Sequence, residues 1–116
     1  MASKTPEGEV QAYGAEQLKK HGCLVRKVSY EGRRGAADYL VLVPERPHVA
    51  FHRPAVKTAV ILGPGVLFLE FKKDENAPPD PHQEREHRRM RKRGADVRVI
   101  GSKEQVDALI QELFPS

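Results

Sequence analysis

Apolar positions recur along the chain with two different periods, and the changes of period divide it into elements. Thr5 and Pro6 read as a helix start, a capping hydroxyl followed by proline at the first helical position. That helix should run to about His21 and stop at Gly22. At about 100° per residue, Val10, Gly14, Leu18 and His21 share one face, with Tyr13 at its edge. Glu7 falls on the same face, Gln11 sits beside it, and Glu9 points almost the opposite way. Residues 23–30 and 37–43 read as strands, separated by a charged, glycine-flanked turn. Residues 66–72 form a third core strand, followed by a polar, proline-rich loop. A second helix is expected from about Pro81 to Arg93, ending at Gly94, with Gln83, His87 and Met90 on one face. Residues 96–100 make a fourth strand. Ser102 and Gln105 then form a capping box for a last helix, striped by Val106, Leu109, Ile110 and Leu113.

The stretch from 44 to 65 resists this reading. Pro44, Pro47, Pro54 and Pro64 break any long element. Two short β-like runs, 48–52 and 56–62, fit an extra hairpin between the breaks. Its apolar residues, Val49, Ala50 and Phe51 with Ala59, Val60, Ile61 and Leu62, are surplus to the core and are expected to form or border a dimer interface, the alternative being a loop folded back over the subunit's own sheet. The order is therefore α-β-β-(hairpin insertion)-β-α-β-α. It describes one α/β domain over residues 1–116, a mixed β-sheet flanked by helices with an insertion at 44–65.

Composition narrows the setting. No apolar run approaches the ~20 residues that span a membrane. The first residues lack the apolar core of a signal peptide, and Cys23 is the sole cysteine, so no internal disulfide forms. Cys23 is expected as an inert core thiol, and a reducing cytoplasm as the setting. The formal charge is +4, and its placement says more than its size. Residues 85–93 hold six of the twenty Lys and Arg, and Arg26, Lys27, Arg33 and Arg34 make a second cluster. Such clusters fit a polyanion, or equally a solvated helix face and turn.

The third strand interrupts its own hydrophobicity. Side chains at i and i+2 lie on one face of a strand, so Glu70 and Lys72 project together with Phe68 behind them. Leu67, Leu69 and Phe71 face the other way. Asp38 does the same in the second strand, with Leu40 and Leu42. If the strands pair, the two carboxylates meet at one edge of the sheet. Two converging carboxylates make a hard-oxygen site suited to Mg²⁺, which would bind a phosphate oxygen and acidify a water. Lys72 would orient that water or stabilise charge on phosphorus. The plainer alternative is a salt bridge of Lys72 with Glu70 or Asp38. The histidines do not make a zinc site, since His82 and His87 lack i, i+4 spacing and no cysteine joins them.

Residues 32–38, which run from Gly32 through Arg33 and Arg34 to Asp38, then Glu70 and Lys72, then Gln83, resemble the VRR-NUC family. That family belongs to the PD-(D/E)xK nuclease superfamily and is similar to Holliday-junction resolvases. The resemblance extends from about Glu7 to Leu113 and is closest to stand-alone members of phages and bacteria. It implies a restriction-endonuclease-like fold, Mg²⁺- or Mn²⁺-dependent hydrolysis of DNA phosphodiesters, often on branched DNA, and homodimers. It implies a bacterial or phage-infected cytoplasm. Carried over by position, Asp38 and Glu70 are the metal carboxylates, Lys72 the catalytic lysine and Gln83 the glutamine after the core strand. Ala37 stands where members often have proline, and the 44–65 insertion lengthens the spacing from Asp38 to Glu70. Where resolvases place a first-helix glutamate this chain has Gln11; Glu7, one turn earlier, is the better candidate to complete the site, and equally a favourable acid near a helix N-terminus. Arg33, Arg34, Arg88, Arg89 and Lys92 are expected to contact phosphates. Flap trimming or nicking with the same chemistry, or a catalytically impaired DNA-binding module, are the alternatives.

Overall fold

The computed structural model describes residues 5–28, 38–53, 56–78 and 80–115, and the side chains of 47–61 lie outside that description. The elements in order are α1 (Pro6–Lys20), β1 (Leu24–Lys27), β2 (Tyr39–Val43), β3 (Arg46–Arg53), β4 (Val56–Leu62), β5 (Gly65–Phe71), α2 (Pro81–Lys92), β6 (Asp96–Ile100) and α3 (Lys103–Leu113). The α/β class expected from the pattern is the class observed. A four-stranded mixed sheet runs β1-β2-β5-β6, antiparallel except for the parallel β5–β6 pair. The strands β3 and β4 pair with each other in a separate two-stranded sheet between β2 and β5.

Local chemistry accounts for the helix ends. The Thr5 hydroxyl accepts from the Gly8 N–H at 3.0 Å, with Pro6 next in the chain. Gly22 and Gly94, after α1 and α2, take φ of 86° and 90°, a region that glycine enters without a Cβ clash. The Ser102 hydroxyl accepts from the Gln105 N–H at 3.1 Å, while the Gln105 side chain accepts from the Gly101 N–H at 2.7 Å. The return bond thus falls one residue before the cap.

Alternation along the strands sends two sets of side chains to opposite faces. Val41 and Val43 of β2 and Leu67, Leu69 and Phe71 of β5 join Val10 and Leu18 of α1 and Val106, Leu109 and Leu113 of α3 in one buried cluster. Cys23 lies in it, buried and free. Burying an aliphatic side chain contributes about 1.5–3 kcal/mol, so this face dominates the core. The opposite face carries Leu40, Phe68 and Glu70, and α2 lies over its β6 side.

Three expectations need correction. His21 is exposed, not on the buried stripe, because it is the C-cap beyond the last turn; its ring instead lies 4.8 Å from that of Phe114. The strands are shorter than the hydrophobic runs, so Asp38 and Lys72 flank β2 and β5 rather than lie within them. The two acids sit at one end of the central strands, not on an edge strand. Arg33 and Arg34 fall outside the described residues, and so do the hairpin side chains proposed as a contact surface, Leu62 excepted.

The base of the β3–β4 hairpin is held by Arg46. Its Nε donates to the Leu113 carbonyl at the end of α3, and Nη1 donates to Pro44 O at 2.9 Å and Gly63 O at 3.3 Å. The guanidinium lies 5.3 Å from the Phe114 ring centroid, within cation–π range.

Gly101 connects β6 to α3 and fixes the loop after β5. A Cβ there would lie 2.6 Å from the carbonyl carbon and oxygen of Asp74, a backbone contact that no side-chain rotation relieves. The Ser102 hydroxyl also donates to Glu75 at 2.5 Å. Gly101→Ala should therefore cost about 1–3 kcal/mol, the range for overpacking. Urea denaturation checks it, and a midpoint equal to the unsubstituted protein's would show that the loop yields freely.

Candidate active site

Two central strands running antiparallel bring the start of β2 beside the end of β5. The register pairs Tyr39 with Leu69, which places Asp38 across from Glu70. The Val28 N–H donates to Asp38 O at 2.8 Å, so the β1–β2 ladder continues through Asp38. On the other side of Glu70, the Lys72 N–H donates to Ile100 O at 2.8 Å and holds Lys72 beside β6.

Glu70 is 1% exposed. Its Oε1 accepts from the Gln83 side-chain amide, while its Oε2 is buried with no hydrogen-bond partner among the described residues. Asp38 stands against it; while both are ionised the two carboxylates only accept and neither satisfies the other, whereas a protonated Glu70 can donate to Asp38. Burial is the largest influence on Glu70. Hydrogen bonding to the Asp38 side chain and the charges of Asp38 and Glu7 act in the same direction, and a bond from the Asp38 backbone opposes them. The carboxyl is pushed up to about 8. A proton or a cation would relieve this arrangement.

The other expected residues reach the same place from three elements. Gln83 comes from the first turn of α2, where Asp80 caps the helix by accepting from the His82 N–H at 2.8 Å. The Lys72 ammonium lies 3.4 Å from Pro78 O and forms no ion pair among the described residues. The salt bridge considered for it is absent there. Glu7 arrives on α1 and accepts from the Gln11 amide at 3.2 Å; Gln11 in turn accepts from the Tyr39 hydroxyl at 3.2 Å. Tyr39 is steadied edge-on against Phe71, with ring centroids 5.3 Å apart. Gln11 is thus a link that holds Glu7, and Tyr39 is a member of the site that pattern reading missed. Its signal was its position next to Asp38, facing α1.

Glu7, Asp38, Glu70, Lys72 and Gln83 line one cleft of about 330 Å³, with the 73–78 loop along its rim. Glu9 is exposed on α1 and is not among the residues lining it. Among the described residues no group of three His, Cys, Asp or Glu side chains is placed to hold a metal ion. The cleft offers two adjacent carboxylates and an unsatisfied buried oxygen. That donor set fits a cation that keeps several waters and takes one or two carboxylates, as Mg²⁺ does.

The rest of α2 is basic. Arg88, Arg89 and Lys92 are exposed and, with Arg85, line a shallow groove of about 240 Å³. Among the described residues only Arg89 of these pairs with an acid, Glu86 at 3.6 Å. His87 is buried on the inner face, and burial, with the charges of Arg91 and Lys72, holds its imidazole below the usual range.

No helix among the described residues is long and apolar enough to cross a membrane. No protein-family model matches the chain, and no curated protein does. A solved structure described as "VRR_NUC domain" is similar over 92% of this chain and 96% of its own, with 50% sequence identity and a TM-score of 0.71.

The raised Glu70 carboxyl carries a stability prediction. A carboxyl whose folded pKa exceeds its unfolded value, here about 4.5 rising to about 8, favours the fold below the lower value. That contribution is lost as pH rises through the upper one. Without metal, the protein should therefore lose on the order of a few kcal/mol between pH 5 and 8.5. Glu70→Gln should remove that loss. Thermal melts in EDTA at both pH values compare the two proteins, and parallel pH dependence in both would sink the assignment.

Proposed function

The chain belongs to the VRR-NUC family of nucleases, and from that premise we propose that it is an endonuclease cleaving branched DNA, Holliday junctions included, with Mg²⁺ or Mn²⁺ held by Asp38 and Glu70. The observation that supports the metal most directly is the buried, unpartnered Glu70 Oε2 beside the Asp38 carboxyl. Burying such an oxygen without a partner is costly, and a divalent cation offsets that cost. When bound, the cation would polarise the scissile phosphate and acidify a water.

The protein's own groups do the remaining work. Gln83 fixes the rotamer of Glu70 through its amide. Lys72, unpaired by any acid among the described residues, lines the same cleft, where its charge would orient the attacking water and offset charge growing on phosphorus. Glu7, held by Gln11 and Tyr39, adds negative potential on the α1 side and favours a cation in the cleft. Arg88, Arg89 and Lys92, with Arg33 and Arg34, which precede Asp38 in the sequence, are assigned to DNA phosphates. A four-way junction has two-fold character and needs two cuts. A two-fold homodimer, one centre per copy, is the assembly that supplies them. The setting proposed is the cytoplasm of a bacterial or phage-infected cell.

The decisive experiment incubates duplex, flap, splayed-arm and four-way DNA with the protein in Mg²⁺, Mn²⁺ or EDTA. Cleavage is expected on branched substrates with either metal and on none in EDTA. Asp38→Ala, Glu70→Ala and Lys72→Ala should each slow cutting by about a hundredfold or more while retaining DNA binding. Efficient cutting in EDTA would end the metal reading, and a near-unchanged rate would remove that residue from the chemistry.

Glu7 and Glu9 separate the two sides of α1. Glu7→Gln should slow cleavage by roughly tenfold or more, and Gln11→Leu by less, since Gln11 acts only through Glu7. Glu9→Gln should leave the rate unchanged. Equal rates for the Glu7 and Glu9 variants would take α1 out of the site.

A further inference from the structure

A second hollow opens beside the cleft. The two share Lys72, Ala77, Asp80 and Gln83, so they are successive parts of one groove. The hollow runs along the inner side of α2 to Val99 on β6 and encloses about 410 Å³. Val99 pairs with Glu70 in the β5–β6 register, one strand spacing of about 4.8 Å away. Its side chain is 38% exposed, an uncovered apolar floor within reach of the catalytic acids.

The charge of the hollow distinguishes it from its neighbours. Lys72, Arg88 and Arg91 reach it, and Glu75, Asp80 and Glu84 balance them. Arg91 also commits its Nε and Nη2 to Val97 O, at 3.2 and 2.7 Å. Buried His87 lines the wall, and burial holds its imidazole below the usual range. By contrast, the groove on the outer side of α2 is lined by Arg85, Arg88, Arg89 and Lys92 alone. A phosphate belongs on that all-basic groove. An apolar floor with an amide, carboxylates and a guanidinium around it suits a flat, uncharged heterocycle with donors and acceptors on its edge.

We propose that the hollow takes the base of one unpaired nucleotide adjacent to the scissile phosphate. The proposal rests on the nuclease reading of the cleft. With the phosphate at Asp38 and Glu70 and Lys72 on the shared wall, the next base along the strand is the nearest group of matching chemistry. Arg88 lines both the hollow and the outer groove, so it joins the base site to the phosphate track. A base within a duplex is stacked and paired and must be pulled out to enter. A nucleotide at a branch point is already free to do so. The hollow therefore selects strands that are unpaired beside the cut.

The test uses the full chain and splayed-arm DNA. An abasic residue is placed at each position flanking the cut, and 2-aminopurine at the same positions in a parallel set. The unsubstituted protein should lose roughly tenfold in kcat/KM for one abasic position, the scale of one lost base contact. In EDTA, 2-aminopurine at that position should brighten on binding as it leaves the stack. Val99→Phe fills the hollow from an exposed position, so folding is retained. It should cut the intact substrate about as slowly as the unsubstituted protein cuts the abasic one, and abolish the brightening. Equal cutting of all abasic substrates together with no brightening overturns the proposal, and so does a Val99→Phe protein that keeps both effects. Brightening without metal-dependent cleavage supports the hollow and rejects the catalytic reading. Cleavage without base dependence or brightening does the reverse.

Discussion

A carboxyl group shut inside the sheet is the constraint around which this fold is arranged. Glu70 follows Leu69 and precedes Phe71 on a central strand, and both neighbours point into the main core. Strand alternation leaves Glu70 no choice of side: it must face the layer between the sheet and α2. There it is almost wholly enclosed, with the Gln83 amide on Oε1 and Oε2 left without a partner among the described side chains. Moving it to the core side would require a one-residue slip of β5, which would also expose Leu67, Leu69 and Phe71. The apolar face therefore holds the acid in an environment that its own chemistry does not favour.

Neighbouring elements are placed by the same requirement. The antiparallel pairing of β2 sets Asp38 opposite Glu70, and the parallel pairing of β6 fixes Lys72 through Ile100 O. The tight contact of Gly101 with Asp74 closes the loop that forms the cleft's rim. On the far side, Gly14 lets α1 approach the sheet: a Cβ there would lie 3.0 Å from the Phe71 ring. That approach brings Glu7 and Gln11 to the end of the strands. A site of this kind is assembled from strand ends and a helix start because those are where side chains can leave a packed layer.

Much of this was legible along the chain, for definite reasons. Thr5, Ser102, Gly22 and Gly94 mark helix ends through local hydrogen bonding and φ, which need no tertiary context. The alternation in 66–72 separates core from site because one face is strongly apolar. The phase of α1 distinguishes Glu7 from Glu9 for the same reason. What escaped depends on long-range placement. His21 fits the apolar phase but lies past the last helical turn. Tyr39 reads as a strand residue, and only the packing of α1 on the sheet reveals its link to Gln11. Arg46 sits in a proline-broken stretch with no period, and its partners at Leu113 and Phe114 lie across the fold. The hollow over Val99 could not be inferred either, since a strand residue's exposure depends on where the neighbouring helix stops.

The attachment of α2 joins these threads. Arg85 and Arg89, Arg88 and Lys92, and Arg89 and Arg93 are like charges at helical spacing, each pair unfavourable by about 0.2–0.5 kcal/mol. Of the helix's own residues only His87 is fully buried, so apolar burial does little to offset that repulsion. What ties the helix to the sheet is polar: Gln83 to Glu70 at one end and Arg91 to Val97 O at the other. The first of these bonds belongs to the candidate site. Ionisation of Glu70 strengthens that bond, since an amide donates more strongly to a carboxylate than to a neutral acid. Ionisation is also what a cation in the cleft demands, and a polyanion along the outer face relieves the repulsion. A cation in the cleft and phosphates along the helix would therefore favour the same docked position of α2. The helix that carries the basic track is fastened by the group that the metal would complete.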